Sequence, residues 1–90
     1  MFETGDIIIS LAGRDAGRLS VVIGIFDENH ILTADGKSRK SDAPKKKKVR
    51  HIKLIKKSGD GTGFILKDGK ITNAVLRKII SEYLNTVTIS

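Results

Sequence analysis

The sequence of 90 residues has no cysteine and no tryptophan, and its few aromatic side chains are Phe2, Phe26, Phe64 and Tyr83. Without cysteine, disulfides and thiolate metal sites are excluded, which is compatible with a reducing compartment. The scarcity of aromatic residues argues against stacking platforms for unpaired bases and against an aromatic cage for methyl-lysine. We expect Phe26 in the core and Tyr83 on the apolar face of a helix, so neither is predicted to be a platform.

Long apolar stretches are also missing. No run approaches the ~20 apolar residues that a membrane span requires. The short apolar run at residues 7–9 follows acidic residues, whereas a secretory signal begins with positive charge. We therefore expect a cytoplasmic protein without membrane contact.

Patterns that support catalysis or metal binding are absent from the sequence. His30 and His51 are the only histidines, and neither is linked by spacing to a serine nucleophile. The acidic residues are scattered rather than spaced as metal ligands. The glycine-rich residues 59–63 precede an apolar patch at 64–66 and lack the Gly-Lys-Ser/Thr of a P-loop, so they predict a hinge or turn. We expect no enzymatic activity, no cofactor and no metal.

Among the charged residues, the 17 lysines and arginines outnumber the 10 aspartates and glutamates. The net charge is +7, and residues 37–57 hold 11 of the 17 lysines and arginines but only one acid, Asp42. Because like charges repel, such a block indicates a polyanionic partner, with nucleic acid the first candidate. The alternative is a basic loop solvated by water alone. Val49, Ile52 and Leu54 interleave the block, however, and favour a folded element.

Five short strands are predicted in the first 57 residues, at 6–11, 19–26, 30–34, 37–40 and 49–55, with a loop at 41–48. Gly13 and Gly17 frame a turn after the first strand, and Asp35-Gly36 is a two-residue hairpin signal. The strand at 19–26 is almost continuously apolar, so both of its faces are expected to be covered, or a bend to occur at Gly24. This arrangement predicts a small, strongly bent β-barrel.

The C-terminal residues change to a helical period. Six apolar residues recur at helical spacing and predict a helix over 72–84, with Thr72 or Asn73 as its N-cap: Val75, Leu76, Ile79, Ile80, Tyr83 and Leu84. A flexible connection is expected at 56–63 and a turn at Asp68-Gly69, while 87–89 are left unassigned. We expect one compact domain, in which residues 1–57 form the barrel and residues 58–90 supply the connection and a helix packed on it.

Residues 5–26 resemble a KOW motif, a strand-turn-strand unit of SH3-like barrels with a glycine at the turn, here Gly17. Three ordered blocks extend the resemblance over residues 3–57: SLAGRDAGR (10–18), ILTADGKSRK (31–40) and APKKKKVRHI (43–52). Together they resemble the archaeal and eukaryotic-type large-subunit ribosomal protein family numbered fourteen, and its small bacterial relatives among KOW-domain RNA-binding proteins.

The resemblance implies a mainly β fold with a C-terminal helix, an SH3-like barrel that docks on ribosomal RNA. By this resemblance, Arg14 and Arg18 flank the KOW turn, Asp35-Gly36 forms a hairpin, and residues 44–51 form the basic segment. Eukaryotic members carry a long extension that these residues do not include. The short helix is closer to the bacterial relatives, for which an accessory role on ribosomal RNA is expected rather than that of a structural subunit.

The sequence therefore predicts a non-catalytic protein that binds RNA through phosphate contacts, and the resemblance implies that this RNA is ribosomal. If about five to eight phosphates are contacted, log K falls with log salt at a slope of roughly −4 to −7. The alternative is a KOW-type protein-interaction module that contacts the transcription or translation machinery. Gly13, Gly17 and Gly36 are expected to shape the turns, and the expected RNA contacts are Arg14, Arg18, Lys37, Arg39, Lys40, Lys45, Lys46, Lys47, Lys48, Arg50, His51 and Lys53.

Overall fold

The computed structural model describes residues 2–57 and 71–89. Within them the chain forms strands β1 (Ile7–Ser10), β2 (Leu19–Asp27), β3 (His30–Ala34), β4 (Lys45–Lys48) and β5 (Ile52–Lys56), then helix α1 (Asn73–Ile89). One turn of 3-10 helix, Val49–His51, connects β4 to β5. Most of the connection predicted at 56–63, the apolar patch at 64–66 and the turn at Asp68-Gly69 lie outside the described residues.

The strands form one five-stranded antiparallel sheet in the order β4-β3-β2-β1-β5. This confirms the predicted fold class, mainly β with a C-terminal helix. In the part of the chain that the structure describes, no backbone pairing joins β4 to β5, so the sheet is not closed. The SH3-like barrel is therefore confirmed only in part.

Two apolar clusters explain why β2 is almost continuously apolar. Its Val22 packs with Ile8, Ile31 and Ile52 on one side of the sheet, which we call the inner face. Its Val21 packs with Ala34 and Leu76 on the other side, the helix face, which α1 covers. Successive residues of a strand point to opposite faces, so a strand buried on both sides must be apolar throughout. A register irregularity between Val22 and Gly24 marks the expected bend.

Helix α1 begins immediately after its N-cap. The Thr72 hydroxyl accepts a hydrogen bond from the Val75 N–H at 3.2 Å, which satisfies a donor that has no partner inside the helix. Asn73 has another role, because its side-chain oxygen accepts the Ser41 N–H at 2.7 Å and ties the helix to the loop before β4. The helix continues to Ile89, so the predicted end at residue 84 was too early.

The predicted strand at 37–40 is wrong. The Asp35 carboxylate accepts the N–H groups of Lys37 and Arg39, both at 2.8 Å, and this holds residues 35–39 in a turn. The returning strand is β4, inside the predicted loop at 41–48, where Lys45 to Lys48 pair with Thr33 to His30. An edge strand needs backbone hydrogen bonds but no apolar side chains, and lysine is a common edge residue.

The strand predicted at 49–55 begins later than expected. Its first residues form the 3-10 turn, and β5 starts at Ile52, which is buried. The turn is held at both ends, since Val49 donates to the Asn29 carbonyl and Leu11 donates to the His51 carbonyl, each at 2.8 Å.

Candidate nucleic-acid interface

The lysines of β4 divide between the two faces of the sheet. Lys45 and Lys47 lie opposite Thr33 and Ile31, on the inner face, where their side chains are partly buried. Both ammonium groups lie 2.9 Å from a carboxylate oxygen of Asp15, and Lys47 also donates to the Ser10 hydroxyl at 3.0 Å. Lys46 and Lys48 are exposed on the opposite side. The inner pair therefore holds the β1–β2 turn against β4, while the outer pair faces solvent.

Asp15 organises the cations of this candidate site, although the sequence did not predict it. Hydrogen bonds from Lys45 and then Lys47 lower the pKa of its carboxyl to about 2, so it stays ionised and offsets part of their charge. The sequence gives only a weak signal for this role, an acid between two arginines in a glycine turn. Its partners lie about 30 residues further along the chain, so only the fold identifies them.

The β1–β2 turn carries two of the predicted contacts. Gly13 and Gly17 have φ values of +80° and +85°, a conformation that favours glycine. Arg14 and Arg18 are exposed around them. The Arg18 guanidinium donates to the Ser38 hydroxyl at 3.0 Å, which links this turn to the loop after β3.

Two adjoining depressions share Arg18. A cleft between the β1–β2 turn, the loop after β3 and β4 is lined by four cations and two acids: Arg18, Arg39, Lys45, Lys47, Asp15 and Asp35. A groove beside α1 combines three cations and one acid with apolar residues: Arg18, Lys37, Arg77, Asp35, Leu19, Ile80 and Leu84. Arg77 was not among the predicted contacts. Its guanidinium donates to the Gly36 carbonyl at 2.7 Å, which fixes it at the edge of this groove.

A third group lies near the β2–β3 turn, and it corrects the placement of Phe26. The ring was expected in the core but is 56% exposed, because β2 extends beyond the region that α1 covers. The Lys46 ammonium lies 4.4 Å from the ring centroid, and the His30 ring meets Phe26 edge-on. The His30 imidazole lies 2.9 Å from a carboxylate oxygen of Asp27, and this hydrogen bond lowers the pKa of that carboxyl.

The remaining predicted contacts do not join these groups. Lys40, His51 and Lys53 are exposed, and so is Arg14, which lines neither the cleft nor the groove. Lys53 lies in β5, at the opposite edge of the sheet from β4. The predicted contacts thus occupy several surfaces rather than one.

Two further findings concern metal binding and membrane spanning in the residues that the structure describes. Across residues 2–57 and 71–89, no group of three or more histidine, aspartate or glutamate side chains is arranged to hold a metal ion. In the same residues, no helix is long and apolar enough to cross a membrane.

The fold and its cations define a class of protein, a small basic β-domain with a KOW-type strand-turn-strand unit and a C-terminal helix. Sequence comparison narrows the class. The chain is similar to large ribosomal subunit protein eL14 of Staphylothermus marinus, with 29% identity over 85 residues that cover 94% of this chain and 88% of that protein. No protein-family model matches the chain.

Other archaeal eL14 proteins give the same result. The eL14 of Aeropyrum pernix is 34% identical over 58 residues, which cover 64% of this chain and 58% of that protein. The eL14 of Pyrobaculum islandicum is 27% identical over 79 residues, 88% of this chain and 72% of that protein. The chain is therefore similar to archaeal eL14 proteins over most of its length, which confirms the resemblance drawn from its three sequence blocks.

Proposed function

We propose that this chain is a non-catalytic RNA-binding protein that docks on ribosomal RNA through phosphate contacts, as a ribosomal or ribosome-associated protein. The observation that carries the proposal is the concentration of solvent-facing cations around β4, on a chain whose matched relatives are named as ribosomal proteins. A role on the ribosome would place the protein in the cytoplasm. We propose that the protein acts as one compact domain, with α1 packed on the sheet.

The contacts are proposed to come chiefly from the cations that face solvent. Lys46, Lys48 and Arg50 lie on exposed positions in and after β4, while Arg14 and Arg18 present guanidinium groups that can bind phosphate bidentately. Lys45 and Lys47 contribute less, because Asp15 already offsets part of their charge. Reversing all of residues 45–48 would therefore disturb the fold as well as the surface.

A matched pair of charge reversals separates specific contacts from overall charge. Lys46→Glu/Lys48→Glu changes the exposed lysines of β4, and Lys56→Glu/Lys78→Glu makes the same change of net charge at residues outside the predicted contacts. We expect the first variant to lose roughly tenfold or more of its affinity for ribosomal RNA at ~0.1 M salt, with a salt slope shallower by about 2. The control should lose much less.

Both variants should unfold at temperatures close to that of the parent chain, because all four side chains lie on exposed positions. Equal losses in the two variants would mean that net charge alone attracts RNA. A folded Lys46→Glu/Lys48→Glu variant with full affinity would contradict the proposed interface.

A second candidate function is the protein-interaction module, and the exposed apolar side chains of α1 favour it. Leu84 is 43% exposed and lines the groove together with Arg18, Lys37 and Arg77, and Val87, three residues further along α1, is 46% exposed. An acidic protein partner would fit this combination. Association with a purified partner that survives nuclease and ~0.5 M salt would favour this function, because phosphate contacts weaken steeply at that salt.

A further inference from the structure

The exposed aromatic ring near the β2–β3 turn suggests a more specific contact than phosphate binding alone. Large aromatic side chains are usually buried, and an exposed one beside cations is a candidate contact residue. Phe26 is 56% exposed although Lys46 lies over its ring, so a large part of the ring remains open to a ligand.

The neighbours of the ring hold it in place without covering it. The Lys46 ammonium stands 4.4 Å from the ring centroid, and the His30 ring stands 6.3 Å away at an interplanar angle of 83°. A cation–π contact at an exposed site is weak, so a flat ligand can displace the ammonium. The freed ammonium would then remain close enough to meet a negative charge on the same ligand.

A depression nearby also includes His30. It is lined by Asn29, His30, Lys48, Val49 and Arg50, so His30 belongs both to this depression with its two cations and to the Phe26 surface. Two acids, Asp27 and Glu28, lie in the adjoining turn, and Asp27 is engaged by the His30 imidazole. A ligand suited to this surface has a flat apolar face with a negative charge close to it, which describes a nucleotide.

We propose that Phe26 binds one unpaired RNA base by stacking, with the His30 ring edge-on beside it, while Lys46, Lys48 and Arg50 bind the phosphates next to that base. The proposal deepens the proposed function and rests on it, because it names the RNA feature that this surface recognises. It also replaces the expectation that affinity comes from phosphate contacts alone. A protein partner would contact the same ring without needing the flanking cations. Fluorescence and affinity measurements with RNA distinguish an RNA ligand from a protein partner.

The absence of tryptophan from the sequence makes a direct test possible. In a Phe26→Trp variant the indole is the only tryptophan, so its fluorescence reports this position alone. A single-stranded ribo-oligonucleotide of about ten nucleotides, within the usual site size of single-strand binders, should quench the fluorescence by stacking. A duplex of the same sequence should bind through phosphates without quenching. An Ile25→Trp variant is the matched control, because Ile25 is 53% exposed beside Phe26 and should not be quenched.

Affinities complete the test. Phe26→Leu keeps an apolar side chain but removes the ring, and we expect it to weaken binding of the single strand by roughly 5- to 150-fold, the range for one stacked base. Duplex binding should not change, and Phe26→Tyr should bind like the parent chain. Circular dichroism and thermal unfolding should show that every variant folds.

The two modes of failure are distinguishable. Unchanged single-strand affinity in Phe26→Leu, with no quenching in Phe26→Trp, would overturn the stacking proposal while leaving phosphate binding intact. Failure of the parent chain to bind either RNA at ~0.1 M salt would overturn the proposed function and this inference together.

Discussion

Asp15 shows how this chain carries many cations on one strand. Its carboxylate contacts the ammonium groups of Lys45 and Lys47, each at 2.9 Å, and the Lys47 side chain is only 11% exposed. A buried ammonium without a counterion is costly, so Asp15 allows β4 to place two of its lysines inside. The same contact joins the β1–β2 turn to the far edge of the sheet.

Replacing this one carboxylate should change stability and RNA affinity in opposite directions. We expect Asp15→Asn to lower the free energy of unfolding by roughly 0.5–2 kcal/mol, because two partly exposed ion pairs are lost. It should raise affinity for RNA, because Lys45 and Lys47 no longer share a negative charge. Urea unfolding and RNA titration measure the two effects.

Asp42→Asn is the matched control, since Asp42 is exposed and no ion pair is found for it within residues 2–57 and 71–89. Its stability should hardly change. Equal stability of Asp15→Asn and the parent chain would show that the carboxylate does not fix the inner lysines.

The pKa of Asp15 also predicts a dependence on pH. The folded chain lowers this pKa from 3.8 to about 2, so the stabilisation is fully present above 3.8 and is lost as the pH falls toward 2. The difference in thermal unfolding temperature between the parent chain and Asp15→Asn should therefore shrink across that interval. A difference that persists below pH 2 would mean that the variant acts through something other than this ionisation.

At the scale of elements, the loop after β3 and the start of α1 hold each other. Gly36 is buried with a φ of +79°, and a Cβ at this position would overlap the Asn73 carbonyl oxygen and lie 3.1 Å from the Leu76 Cβ. Arg77 donates to the Gly36 carbonyl, and Ser41 donates to the Asn73 side chain. The Asp35-Gly36 turn therefore positions the helix as well as the loop.

Glycine replacements test this junction. We expect Gly36→Ala to lower the free energy of unfolding by at least ~1 kcal/mol more than Gly17→Ala. Both carry the strain of a positive φ, but no described atom lies within 4 Å of the position that a Cβ on residue 17 would occupy. The loss in Gly17→Ala is therefore backbone strain alone. Urea unfolding of the two variants makes the comparison, and equal losses would show that α1 does not press on Gly36.

Elements held together by local apolar patterns could be predicted from the sequence. The first three strands and the start of α1 follow from alternating or helical apolar spacing, and Thr72 is a cap by residue type. Strand β4 could not be predicted in this way, because its four lysines resemble a solvated loop and it is defined by backbone pairing with β3.

The arrangement of the candidate site also could not be predicted from local sequence patterns. The basic residues are visible in the sequence, but their division into inner and outer pairs depends on the register between β3 and β4. The exposure of Phe26 depends on which part of β2 is packed against α1. The partners of Asp15 depend on the tertiary fold. None of these relations has a signal within a few neighbouring residues.

At the scale of the whole molecule, the charge is spread over several surfaces. The cleft near Arg18 and the Phe26 surface include lysines of β4, the groove near Arg77 lies beside α1, and Lys53 lies in β5 at the other sheet edge. A net charge of +7 attracts any polyanion at low salt. Specific docking on RNA must therefore be distinguished from attraction by charge alone.

Salt dependence makes this distinction. We expect the affinity for ribosomal RNA to fall with a log–log slope of roughly −4 to −7, corresponding to about five to eight phosphates. Titrations at several salt concentrations measure it. A slope near zero would contradict phosphate contacts and favour an apolar protein interface.

Sedimentation tests the proposed docking of this protein on ribosomal RNA most directly. Lysate containing the tagged chain would be run through sucrose gradients at ~0.1 M and ~0.5 M salt, with a nuclease-treated sample and the Lys46→Glu/Lys48→Glu variant alongside. We predict that the parent chain sediments with large ribosomal subunits at the lower salt, and that high salt, nuclease or the double variant releases it. Sedimentation away from ribosomal subunits at both salts would contradict docking on ribosomal RNA.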